Sequence, residues 1–82
     1  KIYGRKKWEI KNGQLSKNFQ FADFSQAIKF INRIAEAANQ QNHHPDIYLH
    51  NYNQVEIELS SHDQGQITDR DQQLAEIIDT LA

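Results

Sequence analysis

Cysteine is missing from all 82 residues, and with it go disulfide staples, thiolate nucleophiles and cysteine-ligated zinc. No stretch comes near the ~18 consecutive apolar residues a membrane-spanning helix requires, so a membrane-embedded chain is not expected. Basic charge is also scarce. Nine Lys and Arg stand against eleven Asp and Glu, a net −2, and the basic residues cluster only at Arg5-Lys6-Lys7. Without a basic stripe to track a phosphate backbone, nucleic acid is not expected as a direct ligand. Methionine is absent even at position 1, so any targeting segment would lie upstream of Lys1. A cytoplasmic location is the expectation, resting on the lack of cysteine and on function rather than on a signal. No internal linker, low-complexity tract or convincing repeat interrupts the chain, which reads as a single domain over residues 1–82. At this length folding buries only roughly 60–65% of the surface exposed by the unfolded chain, a small core that makes self-association an expectation.

What is present is patterned. Trp8 and Ile10, then Leu15, Phe19 and Phe21, flank Asn12-Gly13, a dipeptide suited to the positive φ angles of a type I′ turn, and predict a first hairpin over about residues 6–22. Asp23 followed by Gln26 resembles a capping box, and Phe24, Ala27, Ile28, Ile31, Ile34, Ala35 and Ala38 recur at helical spacing, predicting a helix from about 24 to 41. His44 precedes Pro45, which disfavours helical backbone, so that helix must end before it and the pair His43-His44 falls on a helix-to-strand connection. Ile47 and Leu49, then Val55, Ile57 and Leu59, alternate with polar residues and predict strands 46–52 and 55–60 reversing at Asn53-Gln54. Leu74, Ile77, Ile78 and Leu81 mark a last helix from about 69 to the end. The expected fold is therefore α+β, in the order β-β-α-β-β-α: a four-stranded antiparallel sheet with helices packed on one face and the other face open. Trp8, Phe19, Phe21, Phe24 and Phe30 are read as core, with Trp8 a candidate pocket wall, and Tyr48 and Tyr52 are placed on the alternate face of the second hairpin.

Three histidines carry the candidate chemistry. His43 and His44 stand together before Pro45, and His62 follows the last strand. With strands 46–52 and 55–60 paired around Asn53-Gln54, Asp46 lies opposite Ser61, which brings His44 and His62 to one end of the hairpin. Three imidazoles at one place supply proton donors and acceptors near neutral pH without metal or cofactor. Asp71, third in the last helix after Thr68, suits two roles: acceptor for free backbone N–H groups at the helix start, and orienter of an imidazole. A zinc site of His43, His44 and His62 is set aside, because adjacent ligands are awkward for tetrahedral metal and no signature supports it. Ser61 beside His62 lacks the sharp glycine-flanked turn of a serine nucleophile. His50 reads as an exposed strand residue.

The same residues form a joint pattern: His43-His44-Pro45, Tyr52, His62 ten residues later and Asp71 nine beyond, with Trp8, the Phe19-x-Phe21-x-Asp23-Phe24 stretch, Ala27, Phe30, Ala35, Ser61-His62-Asp63 and Thr68-x-x-Asp71. This pattern, spanning nearly the whole chain, resembles that of the pterin-4a-carbinolamine dehydratases. The resemblance implies dehydration of 4a-hydroxytetrahydropterin to quinonoid dihydropterin, in recycling of the cofactor used by aromatic amino acid hydroxylases. It implies His43, His44 and His62 as catalytic residues, Asp71, Asn39, Ser61 and Asp63 in supporting or substrate-binding positions, no metal and no cofactor, and a homodimer or homotetramer. One departure stands out. Such proteins commonly carry an acidic residue four positions before the first histidine, where this chain has Asn39, which can hydrogen-bond a pterin but cannot act as a base. The alternative expectation is a non-catalytic protein-binding module on the same fold, since members of this family also serve as dimerisation cofactors of a homeodomain transcription factor or as assembly factors.

Overall fold

Asn12 and Gly13 both adopt positive φ, 52° and 76°, the backbone a two-residue type I′ turn demands. In the computed structural model, which describes residues 7–61 and 65–82, this turn joins β1 (Glu9–Lys11) to β2 (Gln14–Gln20), with Lys11 opposite Gln14. The first hairpin is thus the one the sequence predicts, although its expected start at residue 6 lies outside the described residues.

The next element, α1 (Phe24–Gln41), has the predicted bounds. Its Asp23 carboxylate accepts a hydrogen bond from the Gln26 backbone N–H at 2.8 Å, satisfying one of the donors a helix start leaves unpaired. We expect Asp23→Ala to lower unfolding free energy by about 1 kcal/mol. Urea denaturation measures this, and an unchanged midpoint would show that the cap contributes nothing. The buried stripe of α1 is Ala27, Phe30, Ile34 and Ala38. Phe24 and Ala35 lie roughly 75° and 95° from its centre at 100° per residue. Phe24 is accordingly 52% exposed, which corrects its reading as core.

The second hairpin pairs β3 (Asp46–His50) with β4 (Gln54–Leu59), but not in the expected register. Asp46 faces Glu58, not Ser61, and His50 faces Gln54. The reversal is Asn51-Tyr52-Asn53, with Asn51 and Tyr52 at φ 49° and 56°, so Tyr52 belongs to the turn and not to a strand face. Asn53 is committed elsewhere: its Nδ2 donates to the Phe21 carbonyl and its own carbonyl accepts from the Phe21 N–H, both at 2.9 Å, which docks the turn against the end of β2.

The sheet order is β1-β2-β4-β3, antiparallel throughout. Leu15, Phe19, Val55, Ile57 and Leu59 point to one face, where they form a single cluster with Ala27, Phe30 and Ile34 of α1 and with Leu74, Ala75 and Ile78 of α2 (Asp69–Leu81). Trp8 and Phe21 pack half-buried at its margin. Asp79 of α2 ties the β1 and β2 end to that layer, accepting from Trp8 Nε1 at 3.1 Å and pairing with Lys17 Nζ at 2.8 Å. The opposite face is polar, as the alternation of each strand requires. There Ser16 Oγ donates to Glu56, Asn18 Nδ2 to Gln54, and exposed Tyr48 lies opposite Glu56.

Candidate active site

The end of α1 determines where His43 goes. Asn42 takes the left-handed conformation at φ 51°, its N–H reaching the Asn39 carbonyl while the His43 N–H closes on the Ala38 carbonyl at 3.1 Å. This paired closure is the usual way a helix satisfies its last carbonyls before the chain turns away. It leaves His43 inside the protein, 6% exposed, and His44 on the surface. The two neighbours therefore face different surroundings, as consecutive residues in extended backbone tend to.

His43 Nε2 lies 2.5 Å from Asp71 Oδ1. Asp71 is fully buried, and its other oxygen, Oδ2, accepts from the Thr68 backbone N–H at 2.9 Å and from Ser61 Oγ at 3.0 Å. The aspartate thus completes the capping box of α2 and orients the imidazole with the same carboxylate. Burial by itself pushes the Asp71 carboxyl up, but the hydrogen bonds from His43, Thr68 and Ser61 outweigh it and hold the group below the usual carboxylate range. An ionised carboxylate has no proton to give, so the proton in the His43–Asp71 contact sits on Nε2. Nδ1 is then the ring nitrogen available for chemistry, with no protein partner among the described residues.

His44 Nε2 meets Asn39 Oδ1 at 3.1 Å, one helical turn back on α1, and both side chains are exposed. His43, Asp71 and Ser61 thus form one buried group, and His44 and Asn39 an adjoining surface pair. His62 and Asp63 lie outside the described residues, but Ser61, which precedes them, is 1% exposed and belongs to the buried group. His50 sits on the open sheet face against Asn18 Oδ1 at 3.0 Å, as a strand residue with no tie to the others. The one partner that sequence reasoning treated only as a cap is Thr68, whose hydroxyl lies 2.7 Å from that of Ser61. Among the described residues no three His, Asp or Glu side chains converge in metal-ligating geometry. A shallow recess over β1 and β2, lined by Lys7, Lys11, Ser16 and Glu56 among others, contains none of the candidate residues.

Comparison with known proteins identifies the family of the chain. Residues 2–81 match the family model described as pterin 4 alpha carbinolamine dehydratase. A protein of Metallosphaera sedula named "Putative pterin-4-alpha-carbinolamine dehydratase" is 42% identical over 80 residues, covering 98% of this chain and 82% of its own. A protein of the same name from Herpetosiphon aurantiacus is 48% identical over 77 residues, covering 94% of this chain and 79% of its own. Among solved structures, a transcriptional coactivator/pterin dehydratase from Brucella melitensis superimposes with a TM-score of 0.83 at 28% identity, over 93% of this chain and 80% of that one. A pterin dehydratase-like protein identified as a RuBisCO assembly factor of the alpha-carboxysome shares the fold, with a TM-score of 0.78 at 23% identity, over 95% of this chain and 92% of that one. By family match over nearly its full length and by relatives above 40% identity, the chain belongs to the pterin 4 alpha carbinolamine dehydratase family.

Proposed function

We propose that the protein dehydrates 4a-hydroxytetrahydropterin by histidine acid–base catalysis, returning a dihydropterin for reduction in recycling of the tetrahydropterin cofactor. The observation that carries this reading is the buried His43–Asp71 pair with His44 directly beside it in the chain. In the reaction the C4a–O bond breaks as the N5 lone pair forms the N5=C4a double bond. One proton must reach the departing hydroxyl and one must leave the ring nitrogen, so the enzyme ends in the protonation state in which it began. Imidazoles suit both transfers near neutral pH. His43 takes or returns a proton through Nδ1, His62 is the second group at the C4a hydroxyl, and His44 holds or deprotonates the ring. With Asn39 on its Nε2, His44 is oriented by a neutral amide where His43 has a carboxylate. Any role that requires a base at position 39 is therefore absent from this chain.

A leaving group expelled by its own neighbouring nitrogen asks for modest assistance, and positioned acid–base groups supply about 10²–10⁴-fold. The test is the rate of carbinolamine loss in stopped flow with and without the protein. Acceleration of that order is the expected result, and a rate equal to that of buffer would sink the reading. The rival, a protein-binding module, draws support from Asn39 in the place of an acid and from the coactivator role named for the Brucella relative. A surface for protein partners has no chemical use for a buried imidazole held by a carboxylate. The same assay separates the two. Self-association into a homodimer or homotetramer fits the small core and the outer edges of β1 and β3, which pair with no other strand among the described residues.

A further inference from the structure

The hydroxyls around Asp71 can be counted, and the count gives each proton a direction. Ser61 has one O–H, and it points to Asp71 Oδ2 at 3.0 Å. In the 2.7 Å contact between Ser61 and Thr68, Thr68 must then be the donor and Ser61 Oγ the acceptor. Asp71 Oδ2 is filled by Ser61 and by the Thr68 N–H, so its carboxylate plane is set before Oδ1 meets His43 Nε2. Ser61 is 1% exposed and cannot exchange these bonds for water. Its backbone is pinned as well. The Ser61 N–H donates to the Gln66 carbonyl at 3.1 Å and its carbonyl accepts from the Gly65 N–H at 2.8 Å, which holds the chain at the point where it continues to His62.

We propose that Ser61 is a positioning residue: its hydroxyl, backed by Thr68, fixes the Asp71 carboxylate so that His43 is locked as the Nε2–H tautomer and presents Nδ1 to the substrate. A single buried serine after β4 then sets, through Asp71 of α2, the imidazole that follows α1. The proposal rests on the dehydratase reading for its kinetic consequence, but not for its tautomer.

Two measurements test it. With 4a-hydroxytetrahydropterin as substrate, Ser61→Ala lowers kcat about tenfold, the effect of one lost hydrogen bond to a charged group. KM stays within about twofold, because the interaction lost is one that serves the transition state, and Ser61→Thr, which keeps the hydroxyl, restores the rate. Independently, ¹⁵N shifts of the His43 ring in the wild-type protein report a protonated Nε2 and a bare Nδ1, and Ser61→Ala mixes the tautomers. Thr68→Val, which removes the outer donor and the capping hydroxyl of α2 but keeps the Thr68 N–H on Asp71, gives the same shift in smaller measure and stands in should Ser61→Ala fail to fold. A wild-type ring protonated on Nδ1 overturns the proposal. So does a folded Ser61→Ala variant that melts lower yet keeps both kcat and the tautomer, since the serine would then be structural only. If the wild-type protein fails to accelerate dehydration, the dehydratase reading falls while the ¹⁵N experiment still decides the role of Ser61 in the network.

Discussion

Replacing His43 is expected to cost the protein about 10²–10⁴-fold in dehydration rate, the usual worth of a positioned proton-transfer group. His43→Ala also strips a donor from a fully buried carboxylate, so a lost rate in that variant could reflect lost structure. His43→Gln is the better probe, because its side-chain amide can still donate to Asp71 Oδ1 but offers no group that titrates near neutrality. The expected result is a folded protein, by near-native circular dichroism, with a rate reduced at least about 100-fold. A folded His43→Gln protein that retains wild-type turnover would remove His43 from the chemistry. The same replacement at exposed His44 is expected to leave stability nearly unchanged, since surface substitutions away from buried networks fall within about 0.5 kcal/mol.

Asp71 carries the largest expected effect on stability. Asp71→Ala leaves the His43 Nε2–H, the Thr68 N–H and the Ser61 hydroxyl without their acceptor in a buried place. Breaking a buried pair in this way costs about 3–5 kcal/mol. Domains of this size have about 4–12 kcal/mol in total at the usual stability per residue. The variant should therefore be partly unfolded under mild urea, and a change below about 1 kcal/mol would show that the network does not hold the fold together. The pH dependence has a definite sign. The folded carboxyl lies below its ordinary value because the hydrogen bonds from His43, Thr68 and Ser61 override the upward push of burial. Its contribution is thus fully present above the unfolded value of about 3.9 and is lost as pH falls through the lower folded value. The part of the stability gap between wild type and Asp71→Asn that comes from this carboxyl should narrow below about pH 4. A gap that goes on widening below about pH 4 would contradict an ionised Asp71.

Much of this was legible in the chain because local chemistry dominates it. Asn12-Gly13 can take the positive φ angles of a tight turn, Asp23 can cap, His44 before Pro45 cannot be helical, and each choice is made within a few residues. The second hairpin shows what a local reading misses and what parity can recover. Placing Asp46 opposite Ser61 would set Ile47 against Ser60 and Leu49 against Glu58, mixing apolar and polar residues on one face. Side chains alternate with period two, so only a register pairing odd positions with odd keeps Ile47 with Ile57 and Leu49 with Val55. That much follows from the alternation. The choice of Asn51-Tyr52-Asn53 as the turn does not, because it depends on Asn53 bonding to Phe21, 32 residues away.

The candidate site divides in the same way. The amino-acid order by itself determined the element sequence, the apolar face of each strand, the histidine pair on the connection after α1 and the carboxylate in the first turn of α2, since these depend on spacing and neighbouring backbone. Only the tertiary structure decided that His43 turns inward and His44 outward, that Asp71 serves the helix start and the imidazole together, and that Ser61 and Thr68 close the set. The physical reason is burial. Polar groups removed from water must find partners among whatever the packing of α1 against α2 and the end of β4 brings near, and those partners lie up to 28 residues apart in the chain.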